Sequence, residues 1–116
     1  MSQGACIFCR IAAGEIPARK IHEDDEIVAF RDLNPQAPTH VLIIPKRHVP
    51  SLADAGDGDG ALLGKLLLAA RDVAVREGIA GAGYRVVTNS GELAGQSVFH
   101  VHLHLLGGRP MTWPPG

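Results

Sequence analysis

His100-Val101-His102-Leu103-His104-Leu105-Leu106 is the stretch on which the reading of this chain turns. Histidine stands at every second position and apolar residues fill the gaps. A period of two is the period of a β-strand, so the stretch predicts a strand with three imidazoles on one face and Val101, Leu103 and Leu105 on the other. Side chains on one face repeat about every 7 Å. A helix would scatter positions 100, 102 and 104 around its axis and give the spacing no purpose. The apolar face needs a core to cover it. Three histidines in one register are a far more specific signal than one histidine on a half-exposed strand.

The segments on either side extend this picture. Ser90 to Ser97, with Gly91, Gly95 and Gln96, reads as a small-residue loop feeding the histidine strand, and Gly107-Gly108 ends that strand. Tyr84 to Asn89 reads as the strand before the loop. The one long helix is expected over Gly60 to Glu77, with Asp59 as N-cap, Gly78 as the C′ residue and Leu62, Leu63, Leu66, Ala70, Val73 and Ala74 as its apolar stripe. His40 to Ile44 is β-branched and apolar and is ended by Pro45, so it reads as a buried strand. Lys20 to His22 and Ile27 to Arg31 flank the acidic turn Glu23-Asp24-Asp25-Glu26 and read as an antiparallel hairpin. A short helix is expected over 7–13, closed by Gly14 and barred by Pro17. Residues 1 to 5 read as a frayed end. The expected class is α+β: a five-stranded, mainly antiparallel sheet with one long and one short helix, forming a single domain over 1–116.

Composition bounds the function. Hydrophobic residues make up 46% of 116, which argues for a packed core rather than disorder. Eleven basic against twelve acidic side chains leave no basic field for nucleic acid or a membrane surface, so any phosphate must be held by a local site. The longest apolar runs, such as Leu66 to Ala70, are far too short to span a bilayer. No signal peptide is visible, so the expected location is the cytoplasm.

Three constellations carry chemistry. Gly95-Gln96-Ser97, with Asn89 nearby, offers backbone N–H groups, a hydroxyl and an amide beside the imidazoles, a set suited to an anionic, phosphate-like transition state. Phe30, Asp32 and Leu33 offer an apolar floor with one carboxylate, suited to a base and a ribose diol. Cys6 and Cys9 form a C-x-x-C that, with His48 and a further histidine, completes the ligand set of a tetrahedral zinc site. A free thiol pair or a redox pair are the other readings of these cysteines. His100, which begins the triad strand, is the expected fourth ligand, so that one structural Zn²⁺ ties the N-terminal turn to the sheet.

The histidine strand resembles the signature of the histidine triad (HIT) superfamily, and the chain is most similar to its histidine triad nucleotide-binding (Hint) branch. Glu15-Ile16-Pro17-Ala18, Asp32 to His40, Ile44 to His48, Gly95-Gln96-Ser97 and the tail Trp113-Pro114-Pro115-Gly116 occur in the family's order. The Cys-x-x-Cys departs from the best-known Hint members and resembles HIT proteins in which the pair binds zinc. The resemblance implies hydrolysis of a purine nucleoside phosphoramidate or related nucleotide conjugate, with no cofactor required for catalysis. It implies His102 as nucleophile, aimed by the carbonyl of His100, with His104 and His40 orienting phosphate or relaying protons and Ser97 at the phosphate or the departing amine. It places phosphate oxygens on Asn89, Gly95 and neighbouring N–H groups such as that of Gln96, the ribose on Asp32, and the base against Ile11, Ile16, Phe30 and Leu33. It also implies a homodimer with a ten-stranded sheet, in which Trp113 lies near the partner's pocket. A nucleotide-binding module with negligible turnover and a hydrolase with zinc on all three triad histidines are the rival classes.

Overall fold

The computed structural model describes residues 5–116. The frayed end expected over 1–5 therefore lies outside the described residues, except for Ala5. In chain order the elements are α1 (Ile7–Ala12), β1 (Lys20–Glu23), β2 (Ile27–Arg31), β3 (Thr39–Pro45), α2 (Gly60–Arg76), β4 (Tyr84–Val87) and β5 (Leu103–Gly107). The strands form one sheet in the order β1-β2-β3-β5-β4, and every neighbouring pair is antiparallel. The class is α+β, as the sequence pattern predicts.

Alternation along the central strands gives the sheet two buried faces. Ile27 and Ala29 of β2, Val41 and Ile43 of β3 and Leu103 and Leu105 of β5 meet Leu66, Ala70, Val73 and Ala74 of α2 on one face. Val28, Phe30, Leu42 and Ile44 point the other way and pack against Phe8 and Ile11 of α1. His104 lies opposite Leu42 in the β3–β5 register and His40 opposite Leu106. Both imidazoles are thus on the α1 face, and the functional side of the sheet is the one that only a short helix covers.

Helix α2 carries the stripe read from the sequence, and Gly78 ends it in the left-handed region at φ +75°. Asp59 does not cap it. Its carboxylate accepts the Gly56 N–H and pairs with Arg47, because a short 3-10 turn over Asp57–Asp59 leads directly into the helix. Leu66 is fully buried at the centre of the α2 face. Leu66→Ala is expected to cost about 2–5 kcal/mol, through lost apolar transfer and the cavity left behind. Urea unfolding checks this, and a loss below about 1 kcal/mol would place the core elsewhere.

The histidine stretch needs the main correction. The strand begins at Leu103, not at His100. Instead of joining a ladder, the Val101 N–H donates to the Val49 carbonyl at 2.6 Å. The Thr88 hydroxyl, just past β4, donates to the His102 carbonyl at 2.8 Å. Strand β4 accordingly stops at Val87, two residues before Asn89. The three imidazoles do not form one row: His104 alone projects from a regular strand, and His100 turns into a fully buried position.

Candidate active site

The polar groups on the α1 face form two sets of hydrogen bonds, one through His40 and His104 and one from His102 to the His100 carbonyl, and these fix each tautomer. The Gln36 N–H donates to His40 Nδ1 at 3.0 Å, so the His40 proton is on Nε2. That Nε2–H donates to His104 Nδ1 at 2.9 Å and lies 3.4 Å from Asp32 Oδ2. His104 therefore carries its proton on Nε2. His102 Nδ1–H donates to the His100 carbonyl at 2.7 Å, which leaves a bare lone pair on His102 Nε2. The rings of His102 and His104 lie 5.0 Å apart, and the edge of Phe8 meets His102 at 5.0 Å and 90°.

Burial holds these imidazoles neutral. It pushes His102 below the ordinary histidine value against the opposing pull of the His100 carbonyl and the Asp32 carboxylate. It pushes His40 down as well, again against Asp32. His104 is pushed down to about 4, by burial and by the neighbouring His102 and His40. A group held neutral in the fold but free to protonate when unfolded weakens the fold in acid. Stability from His104 is fully present above pH 6.5 and is lost as pH falls from 6.5 to about 4, a loss on the order of 3 kcal/mol. Urea midpoints at pH 7.5 and pH 4.5 test this, with His104→Gln as the control that should flatten part of the slope. A slope unchanged in the variant would contradict the assignment.

His102 and His104 open into a cavity of about 290 Å³. Ile11, Ile16, Phe30, Asp32, Leu33 and Ser97 line it, as the sequence led us to expect, with Leu33 at the rim and almost fully exposed. Phe8 and Leu42 line it too, although the sequence reading missed both. Alternation along β3 from His40 would have flagged Leu42. Phe8 looked like an ordinary core residue of a short helix.

Asn89, Gly95 and Gln96, expected at the phosphate, are not on the cavity wall, and His40 reaches it only through its bond to His104. Trp113, expected near a partner's cavity, is 82% exposed on the tail. Gln96 is buried, but its side chain braces the loop: its amide donates to the carbonyls of Pro50 and Val98, and its oxygen accepts the Gly91 N–H. The N–H groups of Gly95 and Gln96 are also spent inside the loop, on Glu92 and Gly91. Ser97 is exposed at the mouth and is the loop's one contribution to the wall that the sequence named.

Cys6, Cys9, His48 and His100 come together behind the cavity, with all four ligand atoms within 4.8 Å of one another. His48 Nδ1 lies 3.1 Å from Cys9 Sγ and 3.2 Å from His100 Nδ1, and His100 Nδ1 lies 3.4 and 3.5 Å from the two sulfurs. A tetrahedral zinc ion with ordinary bond lengths would set sulfur–nitrogen edges near ~3.6 Å and a nitrogen–nitrogen edge near ~3.3 Å. His100 Nε2–H donates to the Pro45 carbonyl at 2.7 Å, so its Nδ1 is bare and faces the cluster. Burial, with the Cys6 sulfur beside it, pushes the Cys9 thiol up to about 11, so that thiol is protonated unless a cation faces it. The buried His48 Nε2 has no partner. The donor set and spacing fit zinc. The triad histidines do not form such a group among the described residues, whereas Asp32, His40 and His104 do. Direct hydrogen bonding between the two imidazoles already accounts for that second group.

The comparisons agree with this geometry. The HIT domain family model matches residues 13–111. An uncharacterized HIT-like protein of Synechocystis is 56% identical over 110 residues, 95% of this chain and 96% of that one. The crystal structure of a HIT family hydrolase from Legionella pneumophila is 56% identical, with a TM-score of 0.94, over 96% of this chain and 99% of that one. A histidine triad nucleotide-binding protein from Candida albicans is 35% identical, with a TM-score of 0.80, over 95% of this chain and 83% of its own. The chain belongs to the HIT domain family.

Proposed function

We propose that this protein hydrolyses purine nucleoside phosphoramidates or related nucleotide conjugates at the α-phosphate through a covalent nucleotidyl-His102 intermediate. The observation that carries the reading is the bare Nε2 of His102, aimed by a 2.7 Å bond on its other nitrogen and placed on the wall of an apolar cavity that also holds Asp32. Similar proteins bear the names HIT family hydrolase and histidine triad nucleotide-binding protein, which supports a hydrolase and a nucleotide ligand.

The base lies between Phe30, Ile11 and Ile16, and Asp32 takes the ribose hydroxyls. His102 Nε2 attacks phosphorus and the phosphorus–nitrogen bond breaks. The amine leaves past Ser97, taking one proton from solvent through the Ser97 hydroxyl at the cavity mouth; the proton that water gives up in the second step returns to solvent by the same path. His104 Nε2–H donates to a phosphoryl oxygen as charge builds, its own proton held in place by the donation from His40. Water then attacks the nucleotidyl group, frees the monophosphate and gives up one proton. Two steps at one neutral imidazole replace a direct attack of water on an anionic phosphate. Cys6, Cys9, His48 and His100 hold one structural Zn²⁺; its four protein ligands leave no open position for catalysis. A cysteine pair that binds metal and forms no disulfide suits the cytoplasm.

A second copy pairs along β4, an edge of the sheet, in a homodimer with a ten-stranded sheet. Exposed Leu67 and Val75 on α2 and Tyr84 on β4 supply apolar surface for it, and the tail with Trp113 then reaches the partner's cavity. Adenosine 5′-phosphoramidates with an amine leaving group test the activity. Multiple turnovers yielding AMP, undiminished in mutants of surface residues remote from the cavity, are expected. Tight AMP binding without turnover would instead make the protein a nucleotide-binding module.

A further inference from the structure

We propose that Cys6, Cys9 and His48 are positioning residues for the nucleophile: they act through His100, so that the state of the cysteine–histidine cluster sets the aim of His102. The inference rests on the reading of His102 as nucleophile and extends the catalytic apparatus to a cluster that does not touch the cavity's substrate groups.

One residue belongs to both sites. The His100 side chain is fully buried, with Nδ1 in the cluster and Nε2–H on the Pro45 carbonyl. Its own main-chain carbonyl is the acceptor for His102 Nδ1–H. Residues 100–102 lie outside the sheet ladder, because β5 begins at Leu103. The peptide plane that carries this carbonyl is held at two points: the Val101 N–H on the same peptide donates to the Val49 carbonyl, and the His100 side chain is anchored in the cluster and on Pro45. A carbonyl held by a ladder would instead point at the next strand and be lost to His102.

Helix α1 makes the second link. Cys6 and Cys9 bracket Phe8, whose ring meets His102 edge-on at 5.0 Å and His100 at 6.0 Å. The turn that supplies two ligand atoms therefore also supplies the surface against which the nucleophile rests. An ion drawing the two sulfurs and two nitrogens together fixes His100 from one side and Phe8 from the other. When the cluster opens, the bonds from Val101 to Val49 and from Thr88 to the His102 carbonyl still hold the chain path. What is released is the His100 side-chain anchor and the Phe8 surface against which the imidazole rests, so the aim of the ring loosens while the fold remains. Displacement of a reacting group by a fraction of an ångström to one ångström lowers the rate on the order of tenfold to a hundredfold.

The test compares the parent chain loaded with Zn²⁺, the same chain stripped by a chelator, and His48→Asn. Histidine-labelled protein reports the His102 Nδ1–H resonance by NMR, single-turnover kinetics report the chemical step, and AMP titration reports the cavity. Stripping and His48→Asn are both expected to broaden or erase the Nδ1–H resonance and to slow single turnover by about tenfold or more, with AMP affinity changed less than about threefold. A folded, stripped protein with the resonance and rate of the loaded form overturns the proposal. So does a parent chain that binds no Zn²⁺. Unfolding of both the stripped parent and His48→Asn also overturns it, since the cluster would then hold the domain rather than aim one ring. If the parent cleaves no phosphoramidate, the hydrolase reading fails, and the NMR signal alone still decides the coupling.

Discussion

His102→Ala is expected to lower turnover by about 10⁴-fold or more, the scale on which loss of a covalent nucleophile acts. That factor corresponds to about 5 kcal/mol of lost transition-state stabilisation. Binding of AMP should stay within about tenfold of the parent, because Phe30, Ile11, Ile16 and Asp32 line the cavity independently of the ring. Some stability will be lost as well, since the imidazole packs against Phe8 and is buried. Rates are therefore compared well below the melting temperature of the variant. His104→Ala should cost less, about 10²–10³-fold, because it removes a hydrogen-bond donor and not a bond-forming atom. A His102→Ala protein that turns over within tenfold of the parent would remove the nucleophile from the account.

The sequence pattern made the scaffold legible because each element buries a periodic face. The stripe from Leu62 to Ala74 and the alternation in β2 and β3 are direct consequences of core burial, and the structure keeps them. Period alone misplaced the start of β5. Val101 obeys the alternation and is buried as expected, yet its N–H goes to Val49, some fifty residues away, which local periodicity does not encode. The loop was over-read for the same reason. Gly95 and Gln96 look like donors to phosphate, but a buried glutamine side chain and two short-range N–H bonds use those groups to close the loop on itself. Tautomers were legible only in part. The bond from His102 to the His100 carbonyl was expected, whereas the donor that orients His40 is the main-chain N–H of Gln36, a group every residue but proline carries. The cysteine–histidine cluster shows the opposite balance. Two motif residues and two distant histidines named it, and the fold brings all four together.

Removing both cysteines, as Cys6→Ser with Cys9→Ser, is expected to abolish zinc binding and to lower the melting temperature by about 10 °C or more. An ion bound to the folded state alone at a thousand times its dissociation constant adds about 4 kcal/mol to stability. For a chain of this size each kcal/mol moves the midpoint by roughly 3–6 °C. The measurement is metal content of protein purified without a metal-affinity tag, followed by calorimetry with and without chelator. One zinc per chain in the parent, none in the variant, and a chelator that moves only the parent's midpoint are expected. A parent without zinc, or a variant that retains it, would remove the centre from the account. The charge balance sharpens the test. The Cys9 thiol sits at about 11 without a cation, so zinc uptake must release protons, and loading should acidify a weakly buffered solution.

The central claim is a phosphorus–nitrogen bond at His102, and rapid quench followed by mass spectrometry tests it most directly. The parent is mixed with an adenosine 5′-phosphoramidate, quenched in base within the first turnover, digested and sequenced by fragmentation. The expected product is the tryptic peptide from Val86 to Gly116, heavier by one adenylyl group carried on His102, which appears and decays at rates that match turnover. An adenylyl group on His104 or His40, or steady AMP release with no modified histidine at any time point, would contradict it.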